Sequence, residues 1–119
     1  MIKIGYRSNV VIYIKKGTEE ELKRIVKGAF IANDEFDPDD CEIGKNSQGE
    51  PVLYIEYTDY KWYDDYPIVK YWKNIFENID DRDYLFTRTG EDWDDIEIEG
   101  EYGEAYPSSD IEFDIDFIR

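Results

Sequence analysis

Near the N-terminus apolar residues alternate with polar ones. Ile2, Ile4 and Tyr6 share one side, and after the Arg7-Ser8-Asn9 break Val10, Ile12 and Ile14 do the same. A period of two predicts two short strands, or one strand with a bend. The period then lengthens. In "TEEELKRIVKGAFIAN" the residues Leu22, Ile25, Val26, Ala29 and Phe30 fall on one helical stripe. Thr18 followed by Glu21 reads as a capping box, with three glutamates where the helix dipole favours negative charge. Asn33 and the acidic, proline-containing "DEFDPDD" should end this helix.

"CEIGKNSQGEPVLYIEYTDY" reads as a strand, a Ser-Gln-Gly turn and a longer strand from about Val52 to Tyr60. In "DDYPIVKYWKNIFENIDD" Asp64 or Asp65 is placed to cap a second helix, with Pro67 in its first turn. Ile68, Val69, Trp72, Ile75, Phe76 and Ile79 recur along it at helical spacing. Tyr84–Thr89 and Trp93–Glu99 look like the arms of a hairpin with Gly90 near its bend, and "DIEFDIDFI" reads as a last strand. With no repeat and no linker, these elements predict one α+β domain over residues 1–119. Its sheet should be mainly antiparallel, with two helices packed on one face and an acidic outer face.

Charge sharpens this picture. The chain carries a formal net charge of −16, yet 17 % of its residues are aromatic, a composition that favours folding over disorder. Residues 1–32 hold three acids and seven bases, whereas residues 89–118 hold twelve acids and no base. The alternation in "DDIEIEGE" and "DIEFDIDFI" suggests that Ile96, Ile98, Ile111, Phe113, Ile115 and Phe117 point inward. Asp95, Glu97, Glu99, Glu101, Asp110, Glu112, Asp114 and Asp116 would then point outward. If the two strands pair, these acids form a grid, because neighbouring strands lie about 4.8 Å apart. Two charges about 5 Å apart in water repel by roughly 0.8 kcal/mol before salt screening. Solubility alone would be served as well by Lys, Thr or Gln, so the expectation is a surface complementary to a basic one.

Large basic surfaces in cells are commonly nucleic-acid-binding clefts, and a fixed array of carboxylates can occupy such a cleft in place of phosphates. In general character, residues 89–118 resemble the small acidic inhibitors that phages and mobile elements direct against restriction, CRISPR or repair enzymes. Acidic immunity proteins that cap toxin nucleases share the same physics. The expected partner is therefore a basic nucleic-acid-binding protein, with no direct contact to nucleic acid and no cofactor. The residues expected to meet it are Asp92, Asp94, Asp95, Glu97, Glu99, Glu101, Glu112, Asp114 and Asp116, with Tyr60, Trp62 and Tyr63 as aromatic anchors. Residues 57–66 are expected to be exposed, while Tyr54, Tyr71 and Trp72 are expected in the core.

Other chemistries fit less well. The chain has no histidine and one cysteine, which excludes zinc fingers, Ser–His–Asp triads and Cys–His nucleophiles. Lone Cys41 and the lack of a signal-peptide pattern suggest a reducing cytoplasm, and no run is long enough to span a membrane. "NDEFDPDDCE" lacks the glycine and ligand spacing of a calcium loop. Asp92, Asp94 and Asp95 could serve a carboxylate hydrolase, but a chain this short offers little pocket. An assembly protein working through its aromatic patch is the alternative from another class. Lys15, Lys16, Lys23, Arg24 and Lys27 form a solvated basic face, neutralise acids locally, or support a head-to-tail dimer.

Overall fold

Val10, Ile12 and Ile14 are fully buried on one side of strand β1 (Ser8–Lys15), in the middle of the sheet. The computed structural model describes residues 6–32, 38–102 and 112–114. After β1 come α1 (Glu19–Ala32), β2 (Asp40–Lys45), β3 (Pro51–Tyr60), α2 (Pro67–Glu77), a 3₁₀ turn (Asp81–Asp83), β4 (Tyr84–Thr89), β5 (Ile96–Gly100) and β6 (Glu112–Asp114). The strands form one antiparallel sheet in the order β5-β4-β1-β3-β2-β6. Both helices cover the same face, giving the expected α+β architecture.

Directly opposed residues in an antiparallel pair share a face, so the register arranges the helix side into rows. Glu99, Phe86, Ile12, Ile55 and Cys41 form one row, and Glu97, Arg88, Val10 and Tyr57 form the next. Leu22, Ile25, Val26 and Ala29 of α1, and Ile68, Val69, Trp72 and Phe76 of α2, close over the apolar members. The Trp72 Nε1–H donates to the Tyr57 hydroxyl at 3.1 Å inside this core. Burial raises the Tyr57 phenol pKa well above its ordinary value. Tyr57 is thus core, against the expectation of exposure, because β3 continues through it with its ring on the helix side. Trp72 is core as expected, and Tyr71 packs at the core's margin.

The caps divide. The Glu21 N–H donates to Thr18 Oγ1 at 3.3 Å, as the capping box requires. At α2 the cap is Tyr66, with no side-chain bond, and neither Asp64 nor Asp65 fills that place. Pro67 stands at the first helical position, where its fixed φ and missing N–H cost nothing.

The opposite face has its own smaller cluster of Val52, Leu85 and Tyr102, with Tyr13 against it; Tyr54, expected in the core, lies on this face with its ring tilted 52° to that of Tyr13. Gly100 turns the chain across this face at φ +90, and a Cβ there would strike the Tyr84 carbonyl. Tyr102 then reaches Asn46, whose Nδ2 donates to its hydroxyl at 3.2 Å. Asn46 also accepts the Gln48 and Glu50 N–H groups, which fixes the β2–β3 turn. Lys15 bridges Glu50 at 3.3 Å and Asp83 at 3.5 Å, and Lys23 meets Glu20 within α1 at 3.5 Å, so lysines of the basic segment do neutralise acids locally.

Two sequence expectations fail here. β5 and β6 lie at opposite edges of the sheet, so the two acidic strands do not pair and no common grid forms between them. The phase of β5 is also inverted: Ile96 and Ile98 lie on the open face, while Glu97 and Glu99 lie on the helix side. Among the described residues the open face carries instead the acids Asp40, Glu42 and Glu56, with Asp40 directly opposite Glu56. Of the last predicted strand, Glu112–Asp114 is β6, paired with β2. Asp110, Ile111, Ile115, Asp116 and Phe117 lie outside the described residues, as do Ile2, Ile4 and Asp37.

Candidate functional site: an acidic flank between α2 and β5

Arg88 explains the inverted phase. It continues the inward series Tyr84, Phe86, Arg88 along β4, and at that depth a guanidinium needs partners on the same side. Its Nε donates to Glu97 at 3.0 Å and its Nη2 to Asp95 at 2.8 Å, while Nη1 donates to Asp95 at 3.2 Å and to Ser8 Oγ at 3.0 Å. These bonds, that to Asp95 foremost and that to Glu97 next, hold Arg88 even more firmly protonated than usual against the opposing effect of burial. Asp95 also accepts the Tyr6 hydroxyl at 2.5 Å, a bond that raises the Tyr6 pKa. Gly90 leaves room for this meeting, since a Cβ there would collide with the Asp95 carboxylate and the Tyr6 hydroxyl.

Around this hub a hollow of about 420 Å³ is lined by Tyr6, Trp62, Tyr63, Asp64, Lys73, Arg88, Asp95 and Glu97. A second, of about 410 Å³, continues along α2 and is lined by Lys73, Phe76, Glu77, Ile79, Asp81, Tyr84 and Glu99. Lys73 stands between them, 3.9 Å from both Asp64 and Glu97. Six carboxylates thus line the two hollows beside two cations. Ion pairs as loose as those of Lys73 contribute well under about 1 kcal/mol each.

The structure separates the expected site residues into groups. Asp95 and Glu97 are engaged by Arg88. Asp94, Glu99 and Glu101 have no cation within ion-pair distance among the described residues, and with Asp92 they follow the same edge of the molecule. Glu91, beside them, accepts the Arg7 N–H at 2.6 Å. Glu112 and Asp114 belong to the far edge. Trp62 is 8 % exposed and packs on Tyr57 and Phe86, so it is a core residue and not a surface anchor. Its buried indole N–H has no hydrogen-bond partner among the described residues. Tyr60 is partly buried against the core, and Tyr63, which lines the first hollow, packs against Tyr66 with the rings tilted by 58°.

What the sequence reading missed is apolar. Trp93 is 91 % exposed, Ile96 57 % and Ile98 61 %. A signal for this was available: Tyr84, Phe86 and Arg88 share one phase, and a charged Arg88 on the inner side calls for acids opposite it. No described helix is long and apolar enough to cross a membrane. The chain matches no protein-family model, no curated protein and no solved structure, which leaves function to be read from the flank itself.

Proposed function

We propose that this protein is a non-enzymatic acidic inhibitor that occupies the basic groove of a DNA- or RNA-binding protein in place of nucleic acid, acting in the cytoplasm. The observation that carries the reading is the one-sided flank. Among the described residues Asp94, Glu99 and Glu101 lie along it with no cation within ion-pair distance, Arg82 acting on Glu101 only from further off, while the nearby Arg88 is occupied by Asp95 and Glu97. A phosphate chain attracts proteins through closely spaced fixed charge and counterion release, and carboxylates fixed on a strand and its turns offer a similar field. Arg88 has a structural part in this reading: it fixes two acids so that the remainder project from a rigid hairpin.

A salt-graded capture from lysate tests this. The wild-type protein is expected to retain nucleic-acid-binding proteins that elute as salt rises, because exposed charge pairs are screened. The variant Asp94→Lys/Glu99→Lys/Glu101→Lys, with its fold checked by circular dichroism, is expected to retain none of them. Capture of the same proteins by both forms, or elution independent of salt, rejects the proposal. The exposed Trp93 favours a second reading in the latter case, an assembly protein that binds through its apolar surface.

A further inference from the structure

We infer that the outer edge of β5 takes up an extended segment of the basic partner as an added strand, one whose side chains alternate between apolar and cationic. The inference rests on the reading above that the partner is basic. β5 ends the sheet: β4 pairs with one side of it, and no described strand pairs with the other. The outward N–H and C=O groups of such an edge are a template for an incoming strand.

The two faces of β5 then specify what that strand carries. On the open face stand Ile96 and Ile98, and Trp93 of the preceding turn is exposed. On the helix side stand Glu99 and Glu97, the latter already shared with Arg88 and Lys73. Residues of an added strand share faces with those opposite them, about 4.8 Å away. Alternate residues of the occupant would therefore meet isoleucines on one face and, on the other, chiefly Glu99. The hollow beside Glu99, lined also by Glu77 and Asp81, leaves room for a long cationic side chain.

A second copy of this chain is the wrong occupant. Antiparallel pairing of β5 with itself sets Glu97 and Glu99 against the same acids of the other copy, in a protein already at −16. The charges that guard the edge against self-association are those that select a Lys- or Arg-bearing strand.

The test is an NMR titration with two short peptides of the same composition. One alternates lysine and valine, and the other has its lysines grouped at one end. The alternating peptide is expected to bind about tenfold more tightly and to move the amide signals of residues 96–100 most. Ile96→Lys/Ile98→Lys is expected to weaken it about tenfold, and Ile96→Thr/Ile98→Thr, which keeps strand propensity, to weaken it less. Equal, salt-sensitive binding of both peptides, or signal changes away from β5, overturns strand docking and leaves the acidic-inhibitor reading standing. Binding of neither peptide at low salt also overturns strand docking. Loss of the captured proteins' salt dependence strikes the inhibitor reading alone.

Discussion

Arg88 and Glu97 sit directly opposite each other across the β4–β5 hairpin, joined by a 3.0 Å bond from guanidinium Nε to carboxylate. Their contact holds β5 in the phase that turns two glutamates toward the helices and two isoleucines toward solvent. The hairpin accepts exposed isoleucines because a guanidinium left unpaired beside the core costs more than two half-exposed aliphatic side chains.

Removing that guanidinium should therefore be costly. Arg88→Leu leaves Asp95 and Glu97 facing each other without their shared cation, and about 2 kcal/mol of stability should be lost after allowance for their partial exposure. Urea denaturation measures it. Adding Glu97→Gln should recover part of the loss, since it removes one of the two stranded charges.

Tyr57→Phe should cost about 1–3 kcal/mol, because the Trp72 indole N–H then has no acceptor in the core. The loss should appear in thermal melts, without any change in charge-dependent binding.

Gly28 lies against the Tyr71 ring, whose hydroxyl donates to the Ile25 carbonyl at 2.5 Å, and a Cβ at position 28 would overlap that ring. Gly28→Ala should destabilise the fold on balance. Overpacking costs about 1–3 kcal/mol against a helix-propensity gain of up to about 1 kcal/mol. In a Tyr71→Leu background the same substitution should become neutral or stabilising.

Two carboxylates should give acid titrations of opposite sign. Desolvation foremost, with Asp40 nearby, raises the Glu42 pKa above the usual carboxylate value. Ionisation of Glu42 therefore opposes folding at neutral pH, and that penalty fades as pH falls through its raised folded pKa. Asn46 first, and Lys15 next, lower the pKa of Glu50. Its stabilisation is present above the unfolded pKa and is lost as pH falls through the lowered folded one. Glu42→Gln should accordingly be more stable than wild type at pH 7, by less than about 1 kcal/mol given its exposure, with the difference shrinking on acidification. Stability measured as a function of pH for both proteins checks this.

Much of the architecture was legible before any coordinates. The apolar stripes of both helices, the Thr18 cap, Pro67 at the start of α2 and the limits of β4 all follow from local rules of period and capping. Asp64 and Asp65 misled because a good capping residue competes with neighbouring turn geometry, which here carries the chain one residue past them to Tyr66. Trp62 and Tyr57 misled because aromatic residues in a tyrosine-rich stretch look alike whether they fill a core or cover a surface.

The sequence by itself determined that this chain folds as an α+β domain and that its closing third is overwhelmingly acidic, since period, propensity and charge are properties of neighbouring residues. Only the tertiary structure decided where that acidity goes. Strand order separates β5 from β6 across the whole sheet, and the inward Arg88 sets which side of β5 its glutamates take. Both depend on contacts between residues distant along the chain, and an alternating strand reads equally well in either phase until its neighbour is known.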